Sequence, residues 1–354
     1  MDYISAKEAS KKWGISQRRV AVLCSEGRIE KANMVGKMWL IPKTAKKPED
    51  GRISRYEEKP CKKTKPFLKW AGGKGQLLTE IQKHYPFSEK INKYAEPFVG
   101  GGAVLFDVLD KFDLKEVYIS DINADLINTY RCVKDNPEQL ITSLKIIENE
   151  YLIKSNEQRK KYYLDKRNEF NQMQIYSNYN NLDKATLLIF LNKTCFNGLY
   201  RVNRKGAFNV PMGSYKKPII CDENNLRTVS EKLKNVNIVR GDYRASYDFI
   251  DRNTFVYFDP PYRPLSNTSN FKSYTNSVFG DKEQIELAEY TKLLNDKGAK
   301  IVASNSDPKN NNEHDNFFED LYSHMKIARV NAKRTINSKA NGRGIITELL
   351  FTNC

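Results

Sequence analysis

Thr254-Phe255-Val256-Tyr257-Phe258-Asp259-Pro260-Pro261-Tyr262 is an apolar run that breaks into an acid, two prolines and an aromatic ring. The first five residues read as a buried strand, and the prolines, which cannot donate to a ladder, end it. The last four residues suit a pocket for a flat, amino-bearing base. The Asp259 carboxylate and a backbone carbonyl can both accept hydrogen bonds from an exocyclic amine, and the Tyr262 ring can stack on the base. Pro260 and Pro261 stiffen that carbonyl. Standing alone, Asp-Pro-Pro would be no more than a strand-ending turn.

It does not stand alone. Upstream lie Phe67-Leu68-Lys69-Trp70-Ala71-Gly72-Gly73-Lys74 and Ala95-Glu96-Pro97-Phe98-Val99-Gly100-Gly101-Gly102-Ala103-Val104, the second between an expected strand and an expected helix. A glycine-rich turn there lets a ligand approach the backbone at the C-terminal edge of a parallel sheet. Asp121 ends the next expected strand, Glu116-Val117-Tyr118-Ile119-Ser120. It falls about twenty residues on, where an acid grips ribose hydroxyls.

Four ordered motifs, Lys-Trp-Ala-Gly-Gly-Lys, Glu-Pro-Phe-Val-Gly-Gly-Gly, Asp-Ile-Asn and Asp-Pro-Pro-Tyr, make the chain from about Phe67 onward resemble the Dam-like, alpha-class DNA adenine-N6 methyltransferases of bacteria and phages. The resemblance implies an α/β fold: a Rossmann-like, S-adenosylmethionine-dependent methyltransferase sheet of seven mostly parallel strands, with a target-recognition region inserted at about residues 135–235. It implies that Trp70 and Lys74 flank the cofactor S-adenosyl-L-methionine, that Phe98 and Gly100 line its pocket, and that Asp121 binds its ribose. Asp242, in Gly241-Asp242-Tyr243, would meet the cofactor adenine, although Asp after Gly is also a common turn residue. Asp259 would contact cofactor and base, with Pro260, Pro261 and Tyr262 completing the catalytic tetrad. No metal is expected.

The segment from Asn192 to Lys217 holds Arg204-Lys205-Gly206 between two strand-like arms, a basic hairpin suited to a DNA groove. Arginine can bind guanine O6 and N7 together, and an apolar side chain can meet the thymine methyl. The Dam-like recognition hairpin has Asn-Gly-Leu, Arg-x-Asn and Phe-Asn-Val-Pro, which this segment matches. The resemblance implies Arg201 as guanine reader, Leu199 and Pro211 as thymine contacts, and Phe196 as the residue inserted into the base stack, where the family commonly has Tyr. Asn197 and Asn203 fall on the same DNA-contacting motifs. GATC, or a longer site containing GAT, is the implied target in double-stranded DNA.

Composition agrees with a nucleic-acid partner. The 354 residues carry a formal charge of +16, and both the first 65 residues, at +9, and the remainder are basic. Residues 1–45 form their own expected unit, with linker at 46–65 and the methyltransferase domain at 66–354. Ser5 and Glu8 have capping-box spacing ahead of a first helix. Ser16 starts a second helix, with Arg18 and Arg19 in its first turn, where a recognition helix meets DNA. Val35 to Pro42 resembles the wing of excisionase-like or MerR-like helix-turn-helix domains, while Trp13, Val20, Leu23 and Trp39 serve equally as the core of a small docking module. Arg334 to Ser338 and Gly342-Arg343-Gly344 resemble the family's closing segment and suit phosphate contact.

The six cysteines lack metal-site spacing, and no apolar stretch approaches the about eighteen residues of a membrane span. A cytoplasmic enzyme of a bacterial or phage-infected cell is expected, working alone or beside a companion restriction endonuclease. Two other readings fit parts of the pattern. An RNA adenine methyltransferase can carry the same tetrad, and a catalytically silent DNA-binding regulator can keep the fold, although the intact Asp259 and Asp121 argue against the latter.

Overall fold

The structure is a computed structural model that describes residues 2–36, 38–48, 63–70, 72–173, 181–263, 279–333 and 345–354. The chain divides into two compact units, Met1–Lys62 and Lys63–Cys354.

In the first unit, strand β1 (Tyr3–Ser5) leads into helices α1 (Ala6–Trp13) and α2 (Gln17–Ser25), followed by β2 (Asn33–Val35) and β3 (Met38–Pro42). Ser5 and Glu8 form the expected capping box, and Gly14 ends α1 in the left-handed region at φ +64°. The Ser16 hydroxyl accepts from the Arg19 N–H at the start of α2. The strands pair antiparallel in the order β1-β3-β2. Ala9, Trp13, Val20, Leu23 and Ile41 make the core, with Trp39 half-buried against it. Arg18 is left exposed on the helix start.

The second unit is built on a seven-stranded sheet. Its elements in chain order are α3 (Leu78–Gln82), β4 (Lys93–Glu96), α4 (Ala103–Lys111), β5 (Glu116–Asp121), α5 (Ala124–Asp135), α6 (Pro137–Leu152), α7 (Asn156–Gln172), α8 (Leu182–Thr194), α9 (Glu223–Leu233), β6 (Val236–Arg240), β7 (Thr254–Phe258), α10 (Asp281–Asp296), β8 (Lys300–Ser306), α11 (Phe317–Leu321), β9 (Lys326–Lys333) and β10 (Ile345–Thr352). The sheet order is β6-β5-β4-β7-β8-β10-β9. Strands β4 to β8 pair parallel, and β10 runs antiparallel to both neighbours. All five residues of β7 are buried, as a strand between parallel neighbours with both faces covered requires.

The sheet grows outward in both directions from the β4/β7 pair. Such a switch point leaves a crevice beyond the carboxyl ends of the two central strands. Between β5 and β6 the chain detours through α6, α7, α8, the 195–217 segment and α9, and α8 is buried over most of its length. Residues 63–65 are already tied to this unit: Thr64 donates its N–H and hydroxyl to the Asp110 carboxylate, both at 2.7 Å. Among the described residues, no helix is long and apolar enough to cross a membrane.

Candidate active site

The carboxyl ends of β4, β5 and β7 bring the sequence-predicted acids to one edge. Strand β7 delivers Asp259 there, and the two prolines stop the ladder beyond it. Lys74, from a single 3-10 turn after the Gly72-Gly73 pair, reaches Asp259 Oδ1 with its Nζ at 2.7 Å. The same Nζ donates to the Gly72 carbonyl at 2.9 Å and sits 4.3 Å from the centroid of the Tyr262 ring. Lys74 is only 5% exposed, so this is a desolvated ion pair rather than a solvated turn lysine. Burial pushes the Asp259 carboxyl up, opposed by the Lys74 ammonium.

Strand β8 adds Ser304, whose hydroxyl donates to Asp259 Oδ1 at 3.2 Å. Both partners of Asp259 among the described residues therefore use Oδ1, and Oδ2 is left as an acceptor. A relay fixes the prolines: Asn305 Nδ2 donates to Gln284 Oε1 at 3.0 Å, and Gln284 Nε2 donates to the Pro261 carbonyl at 2.9 Å. The Pro260 carbonyl has no donor among the described residues. Tyr262 donates its hydroxyl to Glu348 Oε2 on β10 at 2.5 Å, which sets the plane of its ring.

The glycine loop lies beside this group. Gly100, at φ +47°, donates its N–H to Asp121 Oδ2 at 3.2 Å, while Asp121 Oδ1 accepts from the Asn123 N–H at 2.9 Å. The Ile122 N–H also acts on this carboxylate, and since a carboxylate has about four acceptor sites, not all of them are taken. Burial pushes the Asp121 carboxyl up to about 6. A Cβ on Gly100 would stand 3.0 Å from Trp70 Cδ1, so indole and loop share a close approach that only glycine permits. Tyr130 donates to the Gly100 carbonyl at 3.1 Å. Half-buried Phe98 lies against Tyr243, ring centroids 5.5 Å apart. Asp242 is exposed, and its Oδ1 caps a short turn by accepting from the Arg244 N–H at 2.9 Å; the adjacent Gly241 N–H donates to the Asp121 carbonyl at 3.1 Å.

Glu96, at the end of β4, is 2% exposed and accepts from the Tyr94 hydroxyl at 2.7 Å. Burial pushes its carboxyl well above the usual range. This edge thus holds three acids against one lysine, with free acceptors on two of the acids. Those free acceptors fit a ligand bearing an amine or vicinal hydroxyls.

The predicted recognition residues gather in the 195–213 loop. Its arms are not the regular strands expected; they meet only at the bridges Cys195↔Met212 and Val202↔Phe208. Pro211 lacks an N–H, and side chains take over the pairing in between. Asn203 Oδ1 accepts from the N–H groups of Lys205 and Ala207, at 2.9 and 3.1 Å, and so shapes the turn. Arg201 donates from Nε to Asn209 Oδ1 at 2.8 Å, which aims an exposed guanidinium. Phe196 is 52% exposed, Asn197 holds φ +55°, Leu199 is half-buried and Pro211 exposed.

Gln284, Asn305 and Glu348 join the site through packing alone, with no local sequence motif that marks them. The expected closing residues 334–338 and 342–344, Ala71 of the first motif and Lys37 of the wing lie outside the described residues. Among those described, no group of three or more His, Cys, Asp or Glu residues is disposed to hold a metal ion.

Residues 70–336 match the family of D12 class N6 adenine-specific DNA methyltransferases. The chain is 49% identical over 296 residues to the type II methyltransferase M.MjaIII of Methanocaldococcus jannaschii, covering 82% of this chain and 99% of that protein. It is 41% identical to the type II methyltransferase M1.LlaDCHI of Lactococcus lactis, covering 82% and 95%, and 36% identical to the DNA adenine methylase of Vibrio cholerae, covering 82% and 96%. The chain belongs to the D12 class of N6 adenine-specific DNA methyltransferases, and its reaction is methyl transfer to adenine N6 of DNA.

Proposed function

We propose that the chain methylates an adenine flipped out of duplex DNA at GATC or a longer site containing GAT, with the β7 edge performing the chemistry and the 195–213 loop reading the site. The observation that carries the reading is the Lys74–Asp259 pair, which with Ser304 holds one carboxylate oxygen and leaves Oδ2 as an acceptor, next in sequence to a Pro260 carbonyl without a donor among the described residues. Membership of this class implies S-adenosylmethionine as the donor, and when bound it supplies the methyl group from a sulfonium cation. Trp70, Phe98 and Gly100 would line its pocket, Asp121 would accept from its ribose hydroxyls and Asp242 would meet its adenine.

The adenine amine is a poor nucleophile because its lone pair is delocalised into the ring, and inside a duplex it is also paired and covered. The base must leave the stack. Phe196 would fill the gap. In the crevice, Asp259 Oδ2 and the Pro260 carbonyl accept the two N–H groups of the amine, which turns the lone pair out of the ring plane, and Tyr262 stacks on the purine. Orientation carries much of the rate. As nitrogen acquires positive charge, Asp259 stabilises it in a site largely free of water. Lys74 and Ser304 hold the carboxylate in one rotamer throughout.

In the loop, Arg201 would read guanine through its guanidinium fork, with Leu199 and Pro211 against thymine methyls and Asn197 and Asn203 supporting the contact. Residues 1–45 would act as a winged helix-turn-helix domain that lengthens the DNA footprint, supported by the exposed Arg18 beside Arg19 at a helix start and by the β2–β3 hairpin. Residues 46–65 would serve as linker, 66–354 as the methyltransferase domain and about 135–235 as its target-recognition insertion. A companion restriction endonuclease is the proposed partner, supported by the type II names of two relatives.

The test is to incubate the protein with S-adenosylmethionine and genomic DNA lacking adenine methylation and to map modified bases by single-molecule sequencing. N6-methyladenine confined to GATC is the expected result. A site without GAT overturns the loop assignment, and transfer to RNA but not duplex DNA overturns the substrate.

A further inference from the structure

Lys69 and Trp70 stand between the two regions: the Lys69 side chain meets the loop, and the Trp70 side chain touches both. Both backbone groups of Lys69 are clamped by one side chain. Asn192 of α8, 1% exposed, accepts from the Lys69 N–H through Oδ1 at 2.8 Å and donates from Nδ2 to the Lys69 carbonyl at 2.8 Å. The same Nδ2 donates to the Gly198 carbonyl at 2.9 Å, inside the turn that presents Phe196. Gly198 holds φ +63°, and a Cβ there would fall 2.5 Å from Lys69 Cδ and 2.7 Å from its Cβ. The ammonium of Lys69 lies 4.7 Å from the centroid of the Tyr215 ring, just past the loop.

The next residue turns to the other site. Trp70 packs on the glycine loop, where a Cβ on Gly101 would come within 3.1 Å of its own Cβ. Its indole also stacks on Tyr200, the neighbour of Arg201, at 5.2 Å and 26°. The Tyr200 hydroxyl in turn donates to Asp125 Oδ2 at 2.7 Å, four residues after Asp121. Two contiguous residues thus touch the loop that would read DNA and the turn that would hold the cofactor. The buried Asn192 amide ties the Gly198 turn to Lys69, whose neighbour Trp70 packs on the glycine loop, so neither part moves freely without the other, because a buried polar group left unsatisfied is costly.

We propose that Asn192, acting through Lys69 and Trp70, is a positioning residue that couples target reading to cofactor binding, so that cognate duplex and cofactor each raise the affinity for the other. The inference rests on the assignment of the 195–213 loop to DNA and of the glycine loop to the cofactor. Linkage requires the factor to be the same in both directions.

The experiment titrates the full chain with S-adenosylhomocysteine, with and without a duplex carrying the site mapped by sequencing. A duplex with that site scrambled is the control, and the converse titration uses each duplex with and without S-adenosylhomocysteine. The expected result is one reciprocal factor in the range of about 5–150 for the cognate duplex and a smaller one for the scrambled duplex. Asn192→Ala brings the factor to one while both ligands still bind separately. Lys69→Ala, which removes only an exposed side chain and its contacts with Gly198 and Tyr215, lowers the factor and carries the test where Asn192→Ala fails to fold. A wild-type factor of one with both ligands bound overturns the coupling alone, as does a wild-type factor kept by folded variants. Failure of the wild type to bind S-adenosylhomocysteine, or to prefer the cognate duplex, overturns the two site assignments and the coupling together.

Discussion

The edge of β7 and the 195–213 loop are both polar, yet they are held in opposite ways. At the edge, Asp259 is fixed by side chains from distant parts of the chain: Lys74 from an early turn and Ser304 from β8, while Glu348 on β10 anchors the neighbouring Tyr262. In the loop, Arg201 and the 203–207 turn are fixed within about ten residues, by Asn209, Asn203 and a few backbone bonds. Chemistry on an amine needs acceptors whose direction is preset and whose surroundings exclude water, and only converging strands supply that. Reading a groove needs exposed donors on a stiff but accessible support, and a short loop bridged at two points and braced on its buried side by Asn171, Tyr163 and Asn192 supplies it. Loss of a side chain that acts directly in one region should therefore cost that task and spare the other, while the Asn192 clamp links the binding of the two ligands.

The largest effect is expected at the edge. Asp259→Asn should lower the single-turnover rate by at least about 10²–10³-fold, the cost of losing one preorganised electrostatic partner. Duplex affinity measured by titration should stay near wild type. Arg201→Ala should act on the other side of the comparison. It should remove about 1–3 kcal/mol of discrimination at one guanine, seen as a relaxed preference when that base pair is changed.

Asp121 supplies a pH test that sharpens the contrast, because the loop has no comparable group. Burial raises its pKa from 3.8 to about 6, so the folded state holds the proton more tightly than the unfolded chain. The stability contributed by this proton is full below pH 3.8 and is lost as pH rises to about 6. Cofactor binding should run the other way: the ionised carboxylate is the acceptor for ribose hydroxyls, so affinity should fall by up to about tenfold per pH unit below 6. Isothermal titration across pH 5 to 8 on the wild type and Asp121→Asn checks it, and the variant should show no inflection. The smallest effect is expected from removing residues 1–62. Methylation of a short duplex should persist, while the slope of log affinity against log salt should become shallower.

Much of the edge was legible in the sequence because a strand, a glycine turn and an acid at strand ends leave local signatures. The run ending at Asp259, the left-handed Gly100 and Asp121 at the end of β5 lie where such patterns put them. The capping box at Ser5 and Glu8 was readable for the same reason. What stayed hidden comes from pairing. Nothing near Glu348 marks it, and only the β10–β8 register, which sets Glu348 opposite Ser306, brings it to Tyr262. Gln284 sits on a helix of ordinary amphipathic pattern, and its contact with the Pro261 carbonyl exists only after that helix packs. The burial of Lys74 was equally unreadable, since an isolated Lys after two glycines has the pattern of a solvated turn. In the loop the opposite error arose. Alternating residues suggest strand arms, whereas the Asn203 side chain accepts from the turn N–H groups and the Arg201 guanidinium donates to the Asn209 carbonyl, leaving two bridges instead of ladders.

The most direct test of this division compares Asp259→Asn and Arg201→Ala in single-turnover methylation and duplex binding, each on the mapped site and on the same site with its guanine replaced. The account predicts that Asp259→Asn loses the rate while keeping the binding preference. Arg201→Ala should lose the preference while keeping the rate on saturating cognate duplex. Parallel loss of rate and preference in either variant would contradict it.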